Sequence, residues 1–332
     1  NDTITDVAGD DVIHGDAGND TIHGGIGDDV IFGGDGNDLI DGGMGIDDVV
    51  GGAGNDIIFG GEDADEMQGN EGDDWMEGGA AGDILVGDVG APTGQVPLYG
   101  GNDVLDGGAL GDKMQGFSGD DIMLGEGGFD KFIGRLGFDW GSFQNETHGV
   151  SVDMERREFI PDQIAPAGDA VRDFWVETEG FSGTRFDDVA LGTNDSKPDT
   201  FNELVNVNLI TGLDRYFVGA NTGTPVAFSG GNIMLGGGGS DLLAGRGGND
   251  IIDGDARLHV ALTRDANGNI FAGSQIIREI LTDQAVAPTF DPVTGVALTA
   301  GDIDTAVFSD VSTNYVFSFV PDASNPNGVQ FG

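Results

Sequence analysis

Aspartates recur every nine residues over most of residues 1–142, and this spacing is where the sequence could do chemistry. Each lies in a stretch such as Gly33 to Asp41 (GGDGNDLID), in which Asp38 holds position six of nine. Regularly spaced carboxylates are either oxygen ligands for a hard cation or the acid and base of a hydrolase. The aspartates at position six are Asp2, Asp11, Asp20, Asp29, Asp38, Asp47, Asp56, Asp65, Asp74, Asp83, Asp103, Asp112, Asp121, Asp130 and Asp139.

The rest of the unit indicates how these aspartates are positioned. Positions one to six are mostly Gly, Asn and Asp, which tolerate the left-handed backbone of a tight turn. Position eight is apolar in every unit except the last, which has Gly141. Positions seven to nine therefore predict a very short strand with its middle side chain pointing inward. One apolar side chain per nine residues cannot offset the entropy of ordering the unit, so a further stabilising agent is needed.

That agent is predicted to be Ca²⁺. If two units make one turn of a coil, every second aspartate stacks at the strand spacing of about 4.8 Å. Stacked carboxylates repel by up to roughly 4 kcal/mol per pair at an effective dielectric constant near 20, and a cation between them reverses the sign. Ca²⁺ accepts six to eight oxygens in flexible geometry, whereas Mg²⁺ demands an octahedron and keeps its waters. Two columns are expected, one containing Asp2, Asp20, Asp38, Asp56 and Asp74, the other Asp11, Asp29, Asp47, Asp65 and Asp83.

The unit resembles the RTX (GGxGxDxUx) nonapeptide of secreted bacterial proteins, a Ca²⁺-binding parallel β-helix repeat. The resemblance implies an all-β parallel β-roll with Ca²⁺ between turns, which folds outside the cell after type I secretion. It also implies roughly 8–12 bound Ca²⁺ ions. The period returns in residues 230–255, where Asn232, Asp241 and Asp250 hold position six. The expected metal ligands are therefore the fifteen aspartates above together with Asp241 and Asp250.

Three units depart from the pattern at position four, where glycine is usual. That position holds Asp63, Ala81 and Leu110 in the units of Asp65, Asp83 and Asp112. A left-handed backbone strains Ala and Leu more than Asp. We therefore expect weakened or empty sites at these units.

A narrower resemblance concerns the surroundings of the repeats. Asn70 to Trp75, Phe138 to Trp140 with Gly149 to Asp153, and Gly230 to Asp255 with Ile276 to Leu281 are similar to the calcium-binding part of large secreted bacterial proteins. Those proteins carry animal-type haem-peroxidase domains, some associated with manganese oxidation. The sequence contains no haem-ligand motif, so the resemblance implies that any peroxidase activity belongs to other residues.

Composition limits the partners. The 332 residues carry a formal net charge of −46, and the 27 acidic residues before Lys113 face no Lys or Arg. This charge excludes nucleic acid as a partner. There is no cysteine, so metal and not disulfides is expected to stabilise the fold. No apolar run of about 18 residues exists, so no transmembrane segment is expected.

The period also divides the chain. We expect a β-roll over 1–142 with an insertion loop at 89–99, a non-repetitive cap over 143–229, a resumed roll over 230–255 and a β-rich cap over 256–332. Near-helical apolar spacing predicts one helix over 198–217, and the imperfect unit 188–192 is interpreted as degenerate. Asn1 falls at position five, so the sequence is expected to be a piece of a longer protein.

The motifs favour a structural function over catalysis. GxSxG, HExxH and GxxxxGK[ST] are all missing, so the fragment is not predicted to be an enzyme. The predicted function is calcium-triggered folding and structural support in an extracellular or cell-surface protein, with neighbouring domains as partners. Two alternatives stay open: an accessory region of a secreted haem peroxidase or manganese-oxidising enzyme, and a calcium-dependent, self-associating adhesin.

Overall fold

The computed structural model describes residues 1–88, 100–155, 173–193, 204–205, 207–217, 226–227, 231–248, 250–282 and 305–308. Short strands make up almost all of the regular structure, beside one 3₁₀ helix over Leu213–Tyr216. In chain order the strands are β1 Thr3–Thr5, β2 Val12–His14, β3 Thr21–Ile26, β4 Val30–Asp35, β5 Leu39–Met44, β6 Asp48–Ala53, β7 Ile57–Glu62, β8 Glu66–Glu71, β9 Trp75–Gly79, β10 Ile84–Val86, β11 Val104–Gly108, β12 Lys113–Ser118, β13 Ile122–Leu124, β14 Lys131–Leu136, β15 Trp140–Ser142, β16 Ser151–Asp153, β17 Phe174–Val176, β18 Gly180–Ser182, β19 Val189–Leu191, β20 Leu204–Val205, β21 Val226–Ala227, β22 Ile233–Leu235, β23 Leu242–Arg246, β24 Ile251–Asp253, β25 Ala256–Leu262, β26 Ile276–Thr282 and β27 Thr305–Phe308.

Alternate strands of the coil form two parallel sheets. Sheet A has eleven strands in the order β1-β3-β5-β7-β9-β11-β13-β15-β18-β22-β24, and sheet B has eight in the order β17-β14-β12-β10-β8-β6-β4-β2. Thr21 pairs with Leu39 and Val30 with Asp48, so neighbouring strands are eighteen residues apart. Two nonapeptides therefore make one turn, which confirms the predicted parallel β-roll.

The core is the single column of position-eight side chains between the two sheets. Ile22, Ile40, Ile58 and Met76 come from sheet A and are completely buried, and they meet the buried position-eight side chains of sheet B. The column widens toward later turns, where Phe132 packs against Trp175 with ring centroids 4.9 Å apart. Larger side chains are tolerated there because Gly141 leaves position eight empty, and a Cβ on Gly141 would lie 2.2 Å from the Trp175 ring.

The roll continues beyond residue 142 without a break in the pairing. β17 adds to sheet B beside β14, and β18 lies in sheet A between β15 and β22. A further parallel sheet, β16-β19-β23-β27, places Val152, Ala190 and Leu243 in the same core. The segment interpreted as a cap thus also contributes turns of the roll, and the division into four regions stays a prediction.

An antiparallel hairpin of β25 and β26 covers the later part of sheet A's outer face. Leu258 and Val260 of the hairpin pack with Val104, Trp140 and other outward side chains of that sheet in a second apolar cluster. The two strands of the hairpin each have seven residues and alternate between buried and more exposed side chains. The insertion loop 89–99 lies outside the described residues.

The predicted helix over 198–217 is wrong in the described residues. Leu204–Val205 is a strand paired antiparallel with β21, and Thr211 bridges to Glu279 of the hairpin. Gly212, in a left-handed conformation with φ 87°, precedes the 3₁₀ helix. Pairing with the hairpin therefore overrides the apolar spacing.

In the part of the chain that the structure describes, no helix has the length and apolar character that crossing a membrane requires.

Arg278 anchors the hairpin to the aspartate loops. This nearly buried side chain donates from Nη2 to the Asn102 carbonyl oxygen, with Asp73, Asp103 and Asp121 close enough to stabilise its charge. Arg278→Met removes the donor to a buried carbonyl oxygen and the cation beside three acids. It should therefore lower the free energy of unfolding by about 2–3 kcal/mol. Calcium-loaded protein would be compared by urea unfolding, with exposed Arg264→Met as the control. Equal stability of both variants would contradict the anchoring role.

Candidate calcium sites

A ladder of backbone-to-carboxylate hydrogen bonds runs along one edge of the roll. The Asp20 N–H donates to Oδ1 of Asp38 at 2.8 Å, and the Asp38 N–H donates to Oδ1 of Asp56 at 2.8 Å. Across the insertion the ladder is unbroken, since the Asp74 N–H donates to Asp103 at 2.9 Å. The members of this ladder are Asp2, Asp20, Asp38, Asp56, Asp74, Asp103, Asp121 and Asp139.

A second ladder of the same construction runs along the opposite edge. The Asp29 N–H donates to Oδ1 of Asp47 at 2.8 Å, and the Asp83 N–H donates to Oδ1 of Asp112 at 2.8 Å. Its members are Asp11, Asp29, Asp47, Asp65, Asp83, Asp112, Asp130 and Asp173. The structure therefore brings together the predicted aspartates of each column, at the predicted spacing.

The second oxygen of these carboxylates is buried without a hydrogen-bond partner. Oδ1 is held by the ladder, which aims Oδ2 inside the loop of the same unit. A buried carboxylate oxygen without a partner is costly, and a repeated one indicates a ligand atom. The oxygens in question are Oδ2 of Asp20, Asp29, Asp38, Asp47, Asp56, Asp65, Asp74, Asp83, Asp103, Asp112, Asp121, Asp130, Asp139 and Asp173.

Glycine at position one shapes the space around Oδ2. A Cβ on Gly33 would lie 2.5 Å from Oδ2 of Asp38 and 2.5 Å from the carbonyl oxygen of Gly51. Carbonyl oxygens also project between turns at positions two and four, since Cβ atoms on Gly34 and Gly36 would lie 1.9 Å from Asp16 O and 2.1 Å from Gly18 O. Each loop thus presents one carboxylate oxygen and several carbonyl oxygens in a cradle that any larger side chain would fill.

This donor set fits Ca²⁺. The donors are all oxygens, which Ca²⁺ and other hard cations prefer. Within the described ranges no three His, Cys, Asp or Glu side chains converge on one point. The carbonyl oxygens that project between the turns would complete the coordination shell. Carboxylates from successive turns with main-chain carbonyls are the mixture that Ca²⁺ accepts. The ladder residues would hold the ion, and its charge would offset the stacked carboxylates.

Burial raises the pKa of several of these carboxyl groups. It raises the pKa of Asp47 to about 6, and that of Asp56 and Asp65 to about 7. Burial also raises the pKa of Asp112 to about 8, with repulsion from Asp130 and Asp83 adding to the effect. In Asp103, burial followed by repulsion from Asp121 and Asp74 drives the pKa well above the usual range. Without a cation, the folded roll thus holds protons that an unfolded chain releases.

The three units without glycine at position four keep the loop conformation. Asp63, Ala81 and Leu110 have φ of 75°, 88° and 78°, so the ladder forces the left-handed backbone on them. Asp65, Asp83 and Asp112 keep their places in the ladder. The expectation of weakened or empty sites at these units stays a prediction.

Relief of this strain should stabilise the protein. Leu110 is 62% exposed, so its removal costs little packing, whereas its left-handed backbone costs about 1–2 kcal/mol. Leu110→Gly should therefore raise the free energy of unfolding, net of glycine's greater entropy in the unfolded chain, by about 0.5–1 kcal/mol. Thermal unfolding in calcium would measure the change. Ile46→Gly, also at an exposed loop position but without positive φ, should give no gain.

The predicted ligands near the two ends of the roll differ from the central ones in burial or in their position along the chain. Asp2 is exposed and Asp11 half-buried, since each belongs to the first turn described. Asp241 and Asp250 lie near the other end, where the Asp188 N–H donates to Asp241 at 2.8 Å and the Asn232 N–H donates to Asp250 at 2.9 Å. These two aspartates are thus in ladder positions, beyond the non-periodic segment.

Several ladder residues lie outside the set predicted from the sequence. Asp173 receives the Asp130 N–H at 3.0 Å, and Glu179 receives the Asp139 N–H at 3.1 Å. Asp188, interpreted as degenerate, is buried and receives the Val150 N–H at 2.7 Å, so that interpretation is wrong. Asp88 accepts hydrogen bonds from Gly101 N and Ser118 Oγ. An acid two residues before a buried apolar residue was the available signal for Asp173, Glu179 and Asp188.

Comparison with known families agrees with this geometry. A family model for four copies of the RTX calcium-binding nonapeptide repeat matches residues 1–31, 14–49, 41–76, 59–93, 99–132 and 226–256. No curated protein matches the chain. The matched stretches contain most of the periodic loops of both ladders, as far as Asp130, and the resumed units near Asp241 and Asp250. The chain therefore carries RTX calcium-binding nonapeptide repeats, folded as a parallel β-roll.

Proposed function

We propose that this chain is the calcium-binding region of a large, type I-secreted extracellular bacterial protein, and that calcium triggers its folding. The observation that carries the proposal is the repeated buried Oδ2 atom without a hydrogen-bond partner. Such a ladder is unfavourable as a stack of bare anions and favourable with divalent cations between its steps. The RTX repeat region is a structural calcium-binding element, not a catalytic one.

The proposed ligands are the position-six aspartates, with carbonyl oxygens of the glycine-rich loops completing each site. Roughly 8–12 ions are expected from two columns of stacked turns. Asp173 and Asp188, which the structure adds to the ladders, extend the proposed ligand set. The predicted ligands are Asp2, Asp11, Asp20, Asp29, Asp38, Asp47, Asp56, Asp65, Asp74, Asp83, Asp103, Asp112, Asp121, Asp130, Asp139, Asp241 and Asp250.

Linkage between binding and folding gives the mechanism. An ion that binds only the folded roll stabilises it by RT ln(1 + [L]/Kd) at each independent site. Low calcium inside the producing cell would leave the chain unfolded, and high calcium outside would fold it. Each turn that forms creates half of the next pair of sites, which makes folding cooperative along the roll. The folded roll would then support the neighbouring domains of the full-length protein.

A calcium titration tests the proposal. The chain would be treated with EDTA and titrated with Ca²⁺, while far-ultraviolet circular dichroism and tryptophan emission are recorded. Trp75, Trp140 and Trp175 are buried in the folded protein, so a blue shift should accompany a cooperative gain of β-structure. Mg²⁺ should not reproduce the transition. A chain fully folded in EDTA at neutral pH would refute the proposed trigger.

The broader biological settings stay predictions from the sequence. An accessory role beside a haem-peroxidase domain rests on the narrower resemblance alone. A calcium-dependent adhesin or self-assembling surface protein would require one folded roll to bind another through a defined surface.

A further inference from the structure

The outer faces of sheets A and B differ in how far the described residues cover them. Sheet A carries the hairpin of β25 and β26 over its later strands, and the outward side chains there are buried. Sheet B has no comparable cover among the described residues, and its outward side chains from β2 to β17 are, apart from Ile133, half-buried or exposed. A regular, uncovered sheet face of this length is a candidate contact surface.

The exposed face of sheet B has its charges sorted by sign. The acids Asp48 and Glu66 are register partners on β6 and β8, and the bases Lys113 and Lys131 are register partners on β12 and β14. These are the first two basic residues in the chain. Between the acids and bases lies β10 with Ile84. In spatial order the position-seven side chains are Val12, Val30, Asp48, Glu66, Ile84, Lys113, Lys131 and Phe174.

This sorting of acids and bases onto separate strands is electrostatically unfavourable within one copy of the chain. Like charges directly opposite each other on neighbouring strands destabilise a sheet. Glu66 and Lys113 lie two strand spacings apart with Ile84 between them, about 9.6 Å, so they do not neutralise each other closely. The Lys131 ammonium lies 5.0 Å from the centroid of the Phe174 ring, and among the described residues no ion pair joins it to an acid.

The order of these position-seven side chains is self-complementary, because the acids lie on one side of β10 and the bases on the other. We propose that sheet B is a docking face for a second copy of this chain, related by a two-fold axis that runs along β10. That operation reverses the strand order and places Glu66 opposite Lys113 of the other copy and Asp48 opposite its Lys131. It also places Val30 opposite Phe174, and Ile84 opposite itself at the centre. An isologous contact of this kind closes as a dimer and does not propagate.

The size and charge of the face set the strength of the dimer. Eight strands at about 4.8 Å spacing give a face roughly 34 Å long, but only about 10 Å wide. Such an area is small for a permanent interface and fits a weak, reversible one. At an ionic strength of 0.15 M the Debye length is about 8 Å, so the repulsion between distant charges of the two acidic copies is largely screened, whereas the facing ion pairs act at short range. The dimer needs the folded roll, so the proposal rests on calcium-loaded protein.

Two charge-reversed variants test the docking face in sedimentation velocity runs with saturating calcium. One reverses the acids (Asp48→Lys with Glu66→Lys), and the other reverses the bases (Lys113→Glu with Lys131→Glu). Each variant alone faces like charges across the axis, so its dimer dissociation constant should rise at least about tenfold. An equimolar mixture of the two should form a heterodimer, because four attractive pairs return. Asp41→Lys, on the outer face of sheet A, should leave the native dimer unchanged.

The outcomes separate this proposal from the calcium proposal. Circular dichroism in calcium reports whether each variant has folded, independently of its association. Dimerisation of the native chain that both reversals weaken and their mixture restores would support the docking face. A native chain that stays monomeric at every concentration would overturn it, as expected if another part of the same chain covers sheet B. Dimers that survive both reversals would also overturn it, since a different surface would then be responsible.

Discussion

Replacement of Asp38 by Asn is expected to remove calcium from both sides of one turn of the roll. The amide keeps an oxygen to accept the Asp20 N–H, so the ladder hydrogen bond can persist. The negative charge and the second carboxylate oxygen are lost, and that oxygen is the buried atom without a partner. At a calcium concentration of 100 Kd each lost site removes about 2.7 kcal/mol of stabilisation, so two sites remove about 5 kcal/mol.

The measurements are calcium stoichiometry by titration calorimetry and stability by urea unfolding at fixed calcium. Asp35→Asn is the matched control, because it makes the same chemical change at position three of the same loop, where the side chain is exposed. The control should bind the native number of ions. An Asp38→Asn protein with unchanged stoichiometry would show that position-six carboxylates are not the ligands.

The periodic part of the fold was predictable because each unit specifies its own conformation. Position-eight side chains such as Ile40 had to point inward, and glycine and Asp/Asn fixed the turns between strands. Once two units make a turn, the pairing of residues eighteen apart follows for the whole array. The columns containing Asp38 and Asp47 were therefore correct to the residue.

The rest depended on contacts that no local pattern encodes. Asp173 joins its ladder 43 residues after Asp130, beyond a long connection, so the period could not locate it. The apolar spacing near Leu213 suggested a helix because burial against the hairpin also needs apolar residues. The sequence also did not indicate which face of the roll the hairpin covers. That choice depends on contacts between apolar residues far apart in the sequence, such as Leu258 and Val104.

The strongest solution effect is expected from pH in the absence of calcium. Burial raises the pKa of Asp56 and Asp65 to about 7 and that of Asp112 to about 8, from an unfolded value near 3.8. Between these limits the folded roll binds more protons than the unfolded chain, so its stability falls as pH rises. The stabilisation from protonation is fully present below about pH 4 and is lost progressively as the pH rises to about 8.

Protons and calcium should therefore act as alternative neutralising agents for the same ladder. In EDTA, the β-structure seen by circular dichroism should be greater at pH 5 than at pH 8, while calcium affinity should rise over the same interval because binding displaces protons. Asp56→Asn, which removes one titrating carboxyl group, should flatten the pH dependence, and Asp35→Asn should not. Calorimetry in buffers of different ionisation enthalpy would count the protons released. A metal-free chain that gains structure as pH rises would contradict the raised pKa values, since the sign of the linkage would be reversed.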